Sequence, residues 1–489
     1  MNAVTSPHLI SNGPPKVMSG MCFDNSYARL SESFFRPGHP DPMVNPKLVA
    51  LNRTLARDLG MSDPDLLDNE VLLSSLLSGN QLVVGAKPIA TAFAGHQFGV
   101  FASKLGDDRA VLLGEVIDRC QQRKDIQLIG IGRTPFTRGG DGRYPLAEAV
   151  REYVMSEAMH ALGVPTTRSL ALTVAGGRAG RGSPEPCAIL ARVATCHISI
   201  GTFEYFARHQ KRDELQTLAD YAIARLCPEL MVQPDPYLSL LRWAVDKQAR
   251  LVAHWVSLGF VHGVMDTDKT SIAGETLDYG ASAFLDYYDP DATPNALDVT
   301  GRYAFSSQAF AAQWNLSRLA EALIGLFHGG ESRAVAEATR AVREFQVRYE
   351  DYLLDRMRAR LGLEGAMPED RELIQDFRQL LARSKTDYHS FFHKLAEDTG
   401  GGGISAALFG PDAGLYLDWY RRWHLRLTVT GRTPKQCYEA LMNSNPVNVP
   451  RDNLINRAAE HAHNNDFKEL YRVLDLVRNP FDRHYRVSD

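Results

Sequence analysis

Apolar residues recur at helical spacing from Asn45 onward, where Leu48, Leu51, Leu55 and Leu59 follow at steps of three and four, so a helix is expected there. Between residues 86 and 131 short apolar runs alternate with glycine, IATAFAGHQFGVFASKLGDDRAVLLGEV and then IQLIGIG, which predicts several strands of one antiparallel sheet. Over residues 146–162 the helical period returns. Ala147, Val150, Val154, Ala158 and Ala161 form one apolar stripe, Glu148, Arg151, Glu152 and Glu157 fall on other faces, and Gly163 and Pro165 supply the stop. A further strand, CAILARVA, precedes a mostly helical remainder, with helices expected at 215–226, 239–258, 308–327, 334–361, 415–427 and across 453–477. Strands first and helices after define an α+β protein with a sheet lobe and a helical lobe.

One segment interrupts the helical half. Residues 261–280 read VHGVMDTDKTSIAGETLDYG, in which residues 269–273 and 276–279 are rich in β-formers and Gly274-Glu275 suits a two-residue turn. That turn pairs Ala273 with Thr276, Ile272 with Leu277 and Ser271 with Asp278. Lys269 then lies diagonal to Asp278 on one face, roughly 7–8 Å away by backbone and within reach of a lysine stem. Asp268 points to the other face or lies in the preceding loop. Two carboxylates bracketing a hairpin are the layout of a kinase-like active site, although a surface hairpin with solvated charges would read the same.

The chain has 489 residues, 44% of them hydrophobic, enough for a large core. The expected division is an N-terminal arm and helical extension (1–85), a kinase-like sheet lobe with one long helix (86–195), a helical catalytic lobe (196–399) and a helical C-terminal extension (400–489). The glycine run 400–403 serves as a flexible joint, and the first twenty residues as a loose arm. With 54 basic against 58 acidic residues, the net charge of −4 gives no field to gather nucleic acid or an anionic membrane, so anionic ligands must be met locally. No apolar run approaches the ~18–20 residues of a membrane span, and MNAVTSPHLISNGPPK lacks the charged and apolar regions of a secretory leader. A cytoplasmic protein is expected. The six scattered cysteines form no C-x-x-C or zinc-ligand spacing and are expected as free thiols.

A sheet, a helix bearing an acidic residue, then His-x-x-x-Asp-x-Asp and Asp-Tyr-Gly is the order of parts in protein kinases. NPKLVALNRTLARDLGM, AGHQFG, GRTPFTRGGDGR, REYVMSEAMHALGVPTTR, ARVATCHISIGTFEYF, HGVMDTDK, DYG, NPVNVPRDNL and NDFKELYRVLDLVRNPFD extend that order over most of the chain. In these runs the chain resembles the selenoprotein O family, also called YdiU. These are kinase-like proteins that bind ATP flipped and transfer AMP to protein hydroxyls.

The resemblance implies a kinase-like bilobal fold, ATP with Mg2+ or Mn2+, and a hydroxyl acceptor on a protein. It places the phosphate-binding turn on LGDDR, keeping Gly106 and Arg109. It makes Asp141 and Gly142 nucleotide contacts, Glu152 the acidic helix residue and Arg192 a phosphate-holding arginine. Asp268 becomes the proton acceptor and Asp278 the metal ligand. Four positions depart from the family pattern. Asp108 replaces a glycine, Ile129 the strand lysine, Ser199 the second phosphate arginine and Lys269 the asparagine that would be a second metal ligand. A carboxylate repels phosphate and an ammonium cannot ligate Mg2+. Glu152 has therefore lost its expected cation, unless Arg151, Arg133 or Arg143 supplies one. His96 is expected to be packed or hydrogen-bonded and His262 structural, and no cysteine follows Cys437 to match the family's redox tail.

The losses share a sign, and Lys269 near Asp278 is expected to compensate in part. Three readings remain open: AMP transfer to protein hydroxyls, redirection to a small-molecule acceptor or to phosphoryl transfer, and a nucleotide-binding protein without catalysis.

Overall fold

The computed structural model describes residues 16–17, 20–179 and 185–483. Most of the expected N-terminal arm lies outside these residues. The architecture is α+β: an antiparallel sheet and many helices.

The sheet is built from β1 (Phe35–Pro37), β2 (Val44–Leu51), β3 (Ile89–Thr91), β6 (Ala110–Ile117), β7 (Arg123–Ile129), β8 (Arg168–Ala179) and β9 (Glu185–Ala194), in the order β1-β3-β6-β7-β9-β8-β2. Every pairing along this path is antiparallel. β4 (Gly95–Gln97) and β5 (Val100–Ala102), expected in the same sheet, instead form a separate hairpin. β8 is an addition to the expected elements.

Residues 44–51 are a strand, not the start of a helix. The leucine spacing is helical, but Pro46 lacks a backbone donor, and β2 lies at the sheet edge, where a proline is tolerated. The helix begins only at α1 (Arg53–Asp58), where the Asn52 side chain accepts from Leu55 N at 3.1 Å. With α2 (Glu70–Leu77), α1 packs on one sheet face, in a core that includes Leu55, Leu73, Ile126, Leu128 and Ile189.

The other face carries α3 (Leu146–Ala161). This helix appears where the period predicts it, but it is buried almost all round, and Glu152 and Glu157 are enclosed rather than solvated. α4 (Ile200–Arg208), α5 (Arg212–Leu226) and α6 (Pro236–Leu258) follow. Next come β10 (Phe260–Val261), β11 (Ala283–Phe284), α7 (Gln308–Leu323) and α8 (Glu331–Arg360). α9 (Asp370–Ser384), α10 (Tyr388–Glu397), α11 (Ala413–Thr428), α12 (Pro434–Ser444), α13 (Asp452–His463) and α14 (Lys468–Arg478) complete the chain, with one core continuous from Tyr27 to Val477. Around the glycine run, buried Asp398 accepts from Ser405 N at 3.0 Å and Tyr416 Oη at 2.8 Å. No helix among the described residues is long and apolar enough to cross a membrane.

Candidate active site

Strand alternation decides what the sheet offers to the cleft. On β7, Ile126 and Leu128 point into the core under α1 and α2, so Asp125, Gln127 and Ile129 face the other way. On β9, Arg192 lies directly across from Gln127 and Leu190 across from Ile129. Arg192 Nη2 donates to Gln127 Oε1 at 2.6 Å. Ile129, where a lysine was looked for, is 7% exposed and belongs to the core with Leu190 and Tyr144.

The cation beside Glu152 is none of the three arginines considered from the sequence. Arg192 Nη1 meets Glu152 Oε1 at 3.3 Å, while Glu152 Oε2 accepts from Tyr279 N at 2.7 Å. Arg192 also donates to Leu277 O. Arg151 is engaged with Asp452 and Ser282 O, Arg133 with Gly140 O, and Arg143 lies by Asp41 and Met43. Burial, with Asp278 second, pushes the Glu152 carboxyl up to about 7, and Arg192 opposes the rise. Because Arg192 serves three acceptors, Arg192→Ala is expected to destabilise the fold by about 3–5 kcal/mol, the cost of leaving a buried charge unpaired. Urea denaturation measures this, and Arg192→Lys should recover only part of it, since one ammonium cannot hold the same fork.

The hairpin expected at residues 269–279 is not formed. Thr267–Lys269 is a single 3-10 turn, in which Lys269 N donates to Asp266 O at 3.1 Å. Only Thr270 bridges to Thr276, so the connection is longer than the two-residue turn required. The β-formers pair elsewhere: Ser271 bridges Ser199, Thr276 bridges Thr166, and Gln248 Nε2 donates to Ser271 O at 2.7 Å. Glu275, placed in the turn by the sequence, instead accepts from Thr195 N at 3.0 Å.

The expected contact survives by this other route. Lys269 Nζ lies 2.7 Å from Asp278 Oδ2, with 28% and 32% of the two side chains open to solvent. The pair is thus partly open to solvent rather than sealed in the core. Burial alone would raise Asp278, but Lys269 outweighs it and holds the carboxyl well below its usual range. Lys269 is correspondingly raised, Asp278 overcoming its desolvation.

Asp268 sits one residue earlier. Its Oδ1 is buried with no hydrogen-bond partner among the described residues, while the residue as a whole keeps partial exposure. Burial, then the like charge of Asp266, pushes the carboxyl up to about 7. The β4–β5 hairpin covers this loop. A Cβ added at Gly95 would stand 2.9 Å from Asp268 Oδ1, so only glycine lets the hairpin approach.

Three residues that hold the loop have no role in the sequence reading, although Asp266 stands in its His-x-x-x-Asp-x-Asp motif. Asp266 Oδ1 accepts from Phe98 N at 2.9 Å and Tyr303 Oη at 2.7 Å. Thr267 Oγ1 accepts from His96 N at 2.7 Å and donates to Glu204, whose other oxygen meets His96 Nδ1 at 2.5 Å. His96 is thus hydrogen-bonded and buried, as expected. The signal available for Glu204 was its place in GTFE, five residues after Ser199, but its partners Thr267 and His96 lie 63 and 108 positions away. His262 is enclosed beside Trp255, and burial pushes it down to about 4, so it is neutral at pH 7.

Gly106 has φ +68 and Phe136 packed where a Cβ would stand. Arg109, 40% exposed, lies over the Tyr144 ring at 4.4 Å and 3.3 Å from Glu148. Asp278 and Asp108 both act on its charge. Asp107 is buried and hydrogen-bonded to Thr91, and burial pushes it up to about 6. Arg109, Glu152, Arg192, Lys269, Asp268 and Asp278 thus form one linked set of charges. Asp141 and Gly142 make local contacts. Asp141 Oδ1 caps its own turn through Arg143 N, and Gly142, at φ +69, packs on Gly132 O. Ser199, which takes an arginine's place, is 2% exposed and caps α4.

Mg2+ needs several oxygen donors around it. Asp278 Oδ2 is taken by Lys269, and Oδ1 accepts from Gly280 N at 2.8 Å. No group of three or more His, Cys, Asp or Glu able to hold a metal is present among the described residues. The residues around Asp278 do not fit a protein-held divalent ion.

The family profile described as protein adenylyltransferase SelO matches residues 18–478. Protein nucleotidyltransferase YdiU of Alkalilimnicola ehrlichii is 47% identical over 467 residues, 94% of this chain and 93% of the relative. The proteins of the same name from Rhodopseudomonas palustris and Geobacillus kaustophilus are 44% and 43% identical, covering 94% and 95% of this chain and 94% of each relative. The chain therefore belongs to the SelO family, whose matched relatives are named protein nucleotidyltransferases.

Proposed function

We propose that this chain transfers AMP from ATP to hydroxyl side chains of proteins on a kinase-like bilobal scaffold, with Asp268 as proton acceptor. The observation that carries this reading is the Asp268 carboxylate. It has a buried, unpartnered oxygen and lies one residue from the solvent-accessible Lys269–Asp278 pair. A carboxyl titrating at about 7 is suited to a base that must be half-deprotonated at neutral pH.

In the proposed step the acceptor oxygen bonds to the α-phosphorus as the α–β bridging bond breaks and pyrophosphate leaves. The acceptor proton passes to Asp268. Arg109 and Lys269 supply positive charge to the phosphates, and Arg192 does so once released from Gln127 or Leu277. Lys269 stands where a metal would otherwise offset Asp278, so nucleotide binding should depend less on divalent ions than on this lysine.

One finding favours a second reading, nucleotide binding without transfer: Ile129 and Ser199 are built into the core and a helix cap, leaving two phosphate contacts unmade. Incubation with ATP labelled separately at the α and γ phosphates decides. The α label on protein supports AMP transfer, and the γ label supports phosphoryl transfer. Neither label, with ATP bound, supports the second reading.

A further inference from the structure

A groove of about 530 Å³ runs between α7 and α8, with Phe310, Trp314, Ile324 and Val335 among its walls. Phe310 is 66% exposed and Val335 47%, so this is an apolar surface open to solvent. Such surfaces mark interaction sites.

Charge says what the groove takes. Three acidic residues in or near it are met by arginines: Glu321 by Arg318 at 2.7 Å, Glu337 by Arg242 at 2.9 Å, and Glu344 by Arg348 at 3.0 Å. Arg302 lies over the Trp314 ring at 4.6 Å, and exposed Arg343 lines the groove. Neither has a carboxylate partner among the described residues. Positive charge is left at Arg343 in the groove wall and at Arg302 against the Trp314 ring.

One wall of the groove packs on a residue that supports the Asp268 loop. Trp314 packs edge-on against His96 at 5.2 Å, and His96 N donates to Thr267 Oγ1, next to Asp268.

We propose that this groove docks the acceptor protein through a segment with one large apolar side chain flanked by acidic residues. The inference rests on the protein-acceptor reading above. The apolar side chain fills the space by Phe310 and Ile324, and the flanking carboxylates meet Arg302 and Arg343.

The probes are three short fluorescein-labelled synthetic peptides: phenylalanine among glutamates, phenylalanine among lysines, and alanine among glutamates. Binding to the full chain is read by fluorescence anisotropy without ATP. The phenylalanine–glutamate peptide should bind roughly tenfold tighter than either control. Phe310→Asp should lower its affinity roughly tenfold, and Arg343→Glu should weaken it while strengthening the lysine peptide. Both side chains are exposed, so the thermal midpoint and ATP affinity should not change. Equal binding of the three peptides, or binding indifferent to both substitutions, overturns the proposal. The assay contains no nucleotide, so peptide binding without label transfer keeps the groove and overturns AMP transfer, whereas label transfer with no peptide preference does the reverse.

Discussion

Asp268→Asn is expected to lower label transfer by about a hundred- to ten-thousand-fold, the usual contribution of a positioned base, with ATP affinity changed little. The same substitution should stabilise the protein at high pH. Asp268 has a folded-state pKa of about 7 against an ordinary value of 3.8, so the folded protein holds a proton there that the unfolded chain has released. Wild-type stability is therefore full below the unfolded value and falls as pH rises through the folded one. Asparagine cannot titrate. The variant should match the wild type near pH 4 and gain on the order of 2 kcal/mol above pH 7, less than the full shift implies because Asp268 is partly open to solvent. Glu152 also titrates near neutrality, but it does so in both proteins and cancels from the comparison. Chemical denaturation across this range checks the stability, and a pH–rate profile rising through about 7 checks the base.

Lys269→Asn is the second large effect expected. It removes the cation 2.7 Å from Asp278 and puts an amide oxygen beside a freed carboxylate. In the wild type, calorimetry should show ATP affinity falling less on chelation by EDTA than on Lys269→Ala, which deletes a charge-assisted contact of about 1.5–3 kcal/mol. In Lys269→Asn the order should invert, with weak binding in EDTA and recovery on adding Mg2+, because two oxygen ligands now face the cleft. Equal metal dependence in both proteins would remove Lys269 from the role given to it.

What the sequence shows of the molecule follows from the range of the interactions. The helix at 146–161 was legible because its period and its stop at Gly163 are local. The contact between Lys269 and Asp278 was legible because only nine positions separate them. The path between them was not, since Thr270 and Ser271 satisfy their backbones against Thr276 and Ser199 rather than in a tight hairpin. The strand at 44–51 was misread because leucines spaced for a helix also fit a half-buried edge strand, and only the pairing with β8 decides. The partner of Glu152 was missed for a similar reason. Arg192 lies on another element, and strand alternation on β9 turns it toward the helix. The loop's supports reach far along the chain, Glu204 to His96 at 108 positions and Asp266 to Phe98 at 168, which no local pattern encodes.

The central claim is that this rebuilt charge cluster still transfers AMP through Asp268. Mass spectrometry of a protein extract incubated with ATP and the chain tests it most directly, with Asp268→Asn in parallel. The account predicts AMP on serine, threonine or tyrosine hydroxyls with the wild type and none with the variant. Phosphate in place of AMP, equal modification by both proteins, or no modification while ATP is bound would contradict it.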